Sequence, residues 1–397
     1  VGNKLWSGGI KAQSGRYLDL REIRSPIVLF ASMGDNITPP EQAFNWVADV
    51  YGSTEEIKAH GQVIVGLLHQ DIGHLGIFVS GAVAKKEHAQ IVSVLKSIEA
   101  LPPGLYGMQI QTIESKDGEK SYEVSFVERR LEDVVAKLNR FERRDEKAFE
   151  AVSSVSDFNQ RAYELFAQPL VQALSSEPAA KLARDLHPER VQRWAISDIN
   201  PWLAWLKPAA ETVRAQRKPL GPDHPWRQLE AAGSELIAAS LDYYRDVSNA
   251  FSEAAFFELY GNLFALTAAD IDGRQKVGQA VELGQLPVVK AALADVGKGG
   301  YPEAVTRIGF LLQRHGQPMP LSRLELRAEL ADRHRALLPE GTPDELRRTR
   351  GIQEIIVRFD PDAALETLPA LLSDPADRKR LFKLVDAIIG DMRAAGQ

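Results

Sequence analysis

Pro26-Ile27-Val28-Leu29-Phe30-Ala31-Ser32-Met33-Gly34-Asp35-Asn36-Ile37-Thr38-Pro39-Pro40-Glu41 is the stretch on which the reading of the chain turns. Its first half is a short apolar run with a β-branched start, bounded by Pro26 before it and Gly34-Asp35-Asn36 after it, the pattern of a buried strand. Its second half opens a helix: Thr38 is placed to cap it, proline is tolerated in the first turn, and Phe44, Val47 and Val50 follow at helical spacing up to Gly52. Gln62-Val63-Ile64-Val65-Gly66-Leu67-Leu68 is a second strand of the same kind. The segment from Gly81 to Leu101, apolar at Val83, Ile91, Val94, Leu95 and Ile98, is a second helix, stopped by Pro102-Pro103-Gly104. Strand, helix, strand, helix with near-continuous apolar strands predicts an α/β unit whose parallel strands are covered on both faces. Two strands do not make a sheet, so the remainder is expected from sequence upstream of Val1. The opening Val-Gly-Asn-Lys-Leu-Trp, without Met, reads as the middle of a longer protein.

Beyond Tyr106 the texture changes. Residues 107–114 and 119–127 flank Ser115-Lys116-Asp117-Gly118, whose Asp-Gly pair signals a hairpin, and an antiparallel ribbon is expected. From Glu128 onward the pattern is helical and calls for no further strand: Leu131, Val134, Val135, Leu138 and Phe141 recur at intervals of three and four, followed by helices over 151–174 and 177–195. A proline-rich stretch with Trp202, Trp205 and Trp226 nearby is expected to be a packed connection between helical modules. A long helix from Pro225 follows, then 251–266, where the rings of Phe256, Phe257, Tyr260 and Phe264 are core candidates. The fold class is therefore α/β, as the C-terminal strands and helices of a larger sheet, followed by a β-hairpin and a large all-α region. The boundaries are 1–105, 106–127, 128–266 and 267–397.

The 397 residues carry 48 Lys+Arg against 54 Asp+Glu, so no overall basic field favours nucleic acid as a partner. Zero cysteines removes every thiolate mechanism, Cys-ligated metal and disulfide from this stretch. The longest apolar runs fall far short of a membrane span of roughly 18 or more residues, and no export signal is visible, so the default setting is cytoplasmic.

Chemistry in α/β folds gathers at the C-terminal ends of strands. Asp35 stands just past the first strand and His74 past the second, in Asp71-Ile72-Gly73-His74-Leu75-Gly76. An acid and a histidine on adjacent strand ends suit the last two members of a nucleophile–acid–histidine triad, in which the carboxylate fixes the imidazole tautomer and stabilises the imidazolium. The blander reading leaves Asp35 capping a turn and His74 in a loop. Ser32 lacks the first Gly of a nucleophile elbow and sits where the acid loop belongs. His69-Gln70-Asp71-Ile72-Gly73-His74 offers His and carboxylate, which suit zinc or iron, but His69 closes a strand and no third motif-spaced ligand is evident, so no cofactor or metal is expected. His60 and His88 read as helix or loop surface. Asp270 and Asp272 open a calcium-like loop without its further ligands. Arg347-Arg348-Thr349-Arg350 is a short basic cluster suited to a solvated helix face, or to an acidic partner or phosphate.

Residues 25–40, followed by Gly73-His74-Leu75-Gly76-Ile77-Phe78-Val79-Ser80-Gly81, closely resemble poly(3-hydroxyalkanoate) synthases, in which the acid loop and the Gly-His-Leu-Gly context are similar. More narrowly, the whole chain looks like the C-terminal portion of a bacterial family labelled poly(3-hydroxyalkanoate) synthetase, also called domain of unknown function 3141. The synthase-like motifs cover residues 1–105. The resemblance implies an α/β-hydrolase fold, His74 as general base oriented by Asp35, and an upstream cysteine in a Gly-x-Cys-x-Gly elbow attacking an acyl thioester. This sequence departs from that pattern, having neither the cysteine nor a Gly-x-Ser-x-Gly. It therefore supplies at most the acid and base, and alone should not turn over. The expected substrate is a 3-hydroxyacyl thioester, and polyester granules are an expected location. An esterase or depolymerase on the same scaffold, or a helical interaction or stress-response protein, are the alternatives. A homo-oligomer or a helical partner protein would fit the charged helix over 128–150. The segment from Leu266 to Met392 faintly resembles TerB-like helical domains.

Overall fold

The computed structural model describes residues 11, 15, 17–114, 120–138, 145–197, 199–264, 282–312 and 319–394. The expected hairpin turn at Asp117-Gly118, the loop at Asp270 and Asp272 and the break at His315-Gly316 lie outside the described residues. The chain divides into two compact units, one drawn from 3–141 and 275–397, the other from 142–274.

The first unit is built on a mixed sheet whose strands lie in the order β1 (Ile27–Ser32), β2 (Val63–His69), β3 (Gly104–Glu114), β4 (Lys120–Arg129) and β5 (Met319–Pro320). β1 pairs in parallel with β2 from Ile27 opposite Ile64 to Ser32 opposite His69. The expected parallel pair is therefore present, and its two C-terminal ends lie side by side. β3 also runs parallel to β2, from Val63 opposite Gly104 to Gly66 opposite Gly107, before turning into the antiparallel pair with β4. The ribbon read from the sequence thus extends the same sheet. β5 corrects the expectation that no strand follows Glu128: two residues of backbone pair with Ser125 and Phe126 at the edge of β4.

Alternation along β2 explains why both faces are covered. Val63, Val65 and Leu67 pack with Val94, Ile98, Leu101 and Phe126 on one face, while Ile64 packs with Val47, Tyr51 and Ile57 on the other. The second layer comes from α1 (Pro40–Tyr51), α2 (Thr54–Ala59) and, on the opposite face, α3 (Leu95–Glu99). The helix expected over 81–101 starts at Gly81, capped by the Ser80 side chain, and is interrupted at Val94, whose backbone leaves helical geometry; a separate turn of helix precedes it at Gly76–Val79. α4 (Leu131–Leu138) adds Leu131 to the core under α1 and α2.

Helices of the C-terminal stretch belong to this same unit. α5 (Pro287–Ala294), α6 (Tyr301–Leu311), α7 (Leu321–Arg333) and α8 (Pro343–Phe359) follow in order. Leu324 of α7 joins the core that holds Val63 and Phe126, and α8 packs on α2. The junction is polar at its centre: buried Lys58 of α2 donates to Glu128 of β4 at 2.6 Å and to buried Glu354 of α8. Burial works against the Lys58 charge, but Glu354 and Glu128 outweigh it and raise its pKa. Gly351 permits the close approach, because a Cβ there would run into the Lys58 carbonyl. The sequence sets 267–397 apart as a module; the contacts group 275–397 with the sheet.

The second unit is helical, with Glu146–Ala162 and the 34-residue Pro225–Glu258 as its longer members. Phe149, Phe256, Phe257, Tyr260 and Phe264 form a chain of ring contacts with centroids 4.8–5.8 Å apart along Phe149–Phe256–Tyr260–Phe264. Trp202, Trp205 and Trp226, expected in a packed connection, are exposed. No described helix is long and apolar enough to cross a membrane.

Replacing Lys58 by Met leaves Glu354 buried without its cation, which costs on the order of 3–5 kcal/mol, whereas the double change Lys58→Met, Glu354→Leu should recover most of that loss. Urea unfolding of both variants checks the sign of the difference. Gly351→Ala should destabilise as well, although helix propensity alone favours Ala by about 1 kcal/mol.

Candidate active site

The parallel pairing of β1 with β2 ends in two loops that touch backbone to backbone. The amide of Met33 donates to the His69 carbonyl at 2.9 Å, continuing the ladder one step past β1. Gly34 then passes so near the second loop that a Cβ on it would lie 2.7 Å from the Asp71 carbonyl carbon. A side chain at position 34 would therefore push apart the loop that carries Asp35 and the loop that carries His74.

Asp35 is buried, and every bond it makes suits an ionised carboxylate. Oδ1 accepts from the amides of Ile37 and Thr38, both at 2.9 Å. Oδ2 accepts from the Thr38 hydroxyl at 2.7 Å and lies 3.0 Å from Nδ1 of His74. Burial pushes the carboxyl pKa up, but hydrogen bonds from Thr38, His74 and Ile37 outweigh burial and hold it well below the usual carboxylate range. Thr38 does not cap α1: Pro39 occupies the cap position without a side-chain bond, and the Thr38 hydroxyl is turned to Asp35, 3.1 Å from His74 Nδ1.

His74 is held at one edge and open at the other. Nδ1 faces Asp35 and Thr38, the ring meets Phe78 edge-on with centroids 6.3 Å apart, and its side chain is 30% exposed. Among the described residues Nε2 has no hydrogen-bond partner, so it is the nitrogen available to take a proton. Met33, Ile37 and Leu75 on these loops, and Phe78 and Val79 on the turn of helix just after His74, are exposed apolar side chains. Asp35 and His74 stand past the ends of β1 and β2, as the sequence reading expects, and Thr38, read there as a helix cap, joins them at the carboxylate. An Asp-x-x-Thr spacing across a turn is the signal that was available, since it brings a hydroxyl back to the carboxylate.

The remaining candidates fall elsewhere. Ser32 is buried, and its Oγ accepts from the Gly34 amide at 3.2 Å, so it braces the loop. His69 accepts the Asp71 amide on Nδ1 at 3.1 Å and has Glu87 3.7 Å from Nε2. His60 and His88, expected at the surface, are half-buried and meet Tyr51 and Phe30 edge-on. Among the described residues no group of three His, Asp or Glu side chains is placed to hold a metal ion.

The family model described as "Protein of unknown function (DUF3141)" matches residues 1–293. The chain belongs to the DUF3141 family. It is 35% identical over 394 residues to a Rhizobium meliloti protein described as "Uncharacterized protein in ackA 5'region", covering 96% of this chain and 53% of that one. The chain thus spans about half the length of the curated relative it matches. No solved structure matches it. In this DUF3141 chain, then, the site rests on its own geometry.

Two measurements test that geometry. The folded pKa of Asp35 lies below its unfolded value near 3.8, so its contribution to stability is whole above that pH and is lost as pH falls through the folded value. Urea unfolding between pH 5 and pH 2.5 should therefore fall more steeply for the wild type than for Asp35→Asn. Gly34→Ala should separate the two loops and weaken the Asp35–His74 bond, read as faster solvent exchange of the His74 ring proton.

Proposed function

We propose that Asp35 and His74 are the acid and base of an α/β-hydrolase-type acyl-transfer site of the poly(3-hydroxyalkanoate) synthase kind, working on a 3-hydroxyacyl thioester. The observation that carries the reading is the buried, ionised Asp35 on Nδ1 of His74, with Nε2 left open. Two further features support it. The dyad stands past the C-terminal ends of adjacent parallel strands, and the exposed apolar side chains around it suit the aliphatic part of an acyl group. The chain has no cysteine, so the nucleophile of this reading comes from outside these 397 residues.

In the proposed reaction Nε2 of His74 takes the proton of the nucleophile as it attacks the acyl carbonyl. The positive charge that appears on the ring is stabilised by Asp35, which stays ionised. The same proton then passes from Nε2 to the leaving thiolate, leaving the acyl group on the nucleophile. His74 next accepts the proton of an incoming hydroxyl, which takes the acyl group, and passes that proton to the nucleophile as it leaves. Thr38 positions the carboxylate and touches no reacting atom. With water as acceptor the same steps are ester hydrolysis.

The test is an assay of a full-length family member with 3-hydroxyacyl thioesters and simple esters, following thiol release and polymer together. Asp35→Asn and His74→Ala should each lower kcat on the order of 10³-fold or more with the fold retained. Thr38→Val should lower it less and shift the pH profile. Wild-type turnover in the His74 variant would sink the assignment; hydrolysis without polymer would replace transfer by hydrolysis, and inactivity of the wild type would favour a binding role.

A further inference from the structure

The helical unit over 142–274 contains a connection that is built inside out. Between the helices Pro188–Ala195 and Leu206–Gln216 the chain folds around Asn200, which is buried. Asn200 Nδ2 donates to the Ala195 carbonyl at 2.6 Å, and its Oδ1 accepts the Trp202 amide at 3.0 Å. The Ser197 hydroxyl donates to the Trp194 carbonyl at 2.8 Å, and the Asn200 amide donates to the Ser197 carbonyl at 3.1 Å. The polar groups are satisfied within the turn, and the apolar side chains are left outside it. Trp194, Ile196, Ile199, Trp202 and Trp205 are each between 55% and 84% exposed.

Three indole rings and two branched chains exposed to this degree present on the order of 500 Å² of apolar surface from one short span of chain, more than a monomeric soluble protein ordinarily leaves in water. The surroundings are basic. Residues 181–218 hold eight Lys and Arg against four Asp and Glu, in a chain whose net charge is −6. Arg193 just ahead of the turn, and Lys207 and Arg214 after it, are exposed. A local positive excess around projecting tryptophans, against the sign of the whole chain, suits an anionic surface with an apolar interior. Ile196 and Ile199 favour lipid over nucleic acid, because bases stack on rings and gain nothing comparable from branched aliphatic chains. Side chains more than half exposed project instead of lining a groove, and a bilayer, unlike a protein partner, requires no matching shape.

We propose that the turn over 194–206 binds the surface of an anionic phospholipid bilayer. Ile199 and Trp202, on either side of Asn200 and Pro201 and the most exposed of the five, enter the boundary between headgroups and acyl chains. An indole suits that boundary because its ring is apolar and its N–H reaches a wet acceptor. Arg193 and Lys207 meet the headgroup phosphates from the two flanks. The inference rests on the helical unit alone and does not depend on the acyl-transfer proposal.

The complete 397-residue chain should be sedimented with vesicles of phosphatidylglycerol and phosphatidylcholine in equal parts, and with vesicles of phosphatidylcholine alone. It should co-sediment with the mixed vesicles, dissociate as salt is raised, and lose tryptophan fluorescence when the acyl chains are brominated. The double change Ile199→Ser, Trp202→Ser should lower partitioning roughly tenfold or more, with circular dichroism unchanged because both side chains are exposed. Arg193→Gln with Lys207→Gln should weaken binding to the mixed vesicles several-fold. No binding by the wild type, equal binding to both kinds of vesicle, or binding unmoved in the Ile199, Trp202 variant would overturn the proposal. A wild-type dimer in vesicle-free buffer that this variant dissociates would assign the turn to a second copy of the chain instead. Retention of a single-stranded oligonucleotide without vesicle binding would assign it to nucleic acid.

Discussion

Six residue pairs of parallel backbone, from Ile27 beside Ile64 to Ser32 beside His69, set everything that follows in this chain. Parallel pairing requires the two strands to finish at the same end of the sheet, so the loops that follow them must meet. Gly34 lets them meet at backbone distance, and the Met33 amide extends the ladder into the junction. A carboxylate on one loop and an imidazole on the other then need no long-range adjustment to reach 3.0 Å. The cost of burying Asp35 as an anion is offset by two amides, a hydroxyl and the imidazole, all local to the two loops.

The frame under that junction is larger than the strand–helix units that define it. α2 crosses from β1 to β2 and carries Lys58, which binds Glu128 on β4 and Glu354 on α8. An ion cluster in this position contributes less as net stability than as register, because breaking one member leaves another charge stranded. It ties residues more than 290 positions apart in sequence to one place in the core. The apolar layers on either side, with Val63, Val65 and Leu67 facing one way and Ile64 the other, supply the driving force at roughly 1.5–3 kcal/mol for each fully buried side chain.

Much of this was legible in the sequence where local pattern decides the outcome. The apolar runs at Ile27 and Val63, the proline-started helix after Thr38 and the strand-end positions of Asp35 and His74 all follow from periodicity and turn chemistry. What escaped depends on partners distant in sequence. Pro102-Pro103-Gly104 stops a helix, and nothing local says that Gly104 and the three residues after it pair in parallel with β2. Met319 and Pro320 are too few to show a strand period, and they pair only because β4 offers them an edge. Lys58 and Glu354 look like ordinary charges on helix surfaces until α2 and α8 meet across Gly351. Thr38 was legible as a helix start and misread in detail, because its hydroxyl finds a stronger, charged acceptor in Asp35 than in the first turn of α1.

The chemical value of the dyad lies in the tautomer of one ring. With Oδ2 of Asp35 accepting at 3.0 Å, the neutral imidazole of His74 carries its proton on Nδ1 and presents a lone pair on Nε2. Nitrogen-15 NMR of the ring, read at a pH where His74 is neutral, measures this directly. The account predicts a protonated Nδ1 with a strongly deshielded proton that is lost in Asp35→Asn. A neutral ring protonated on Nε2 in the wild type, or an Nδ1 signal unmoved by the Asp35 substitution, would contradict it.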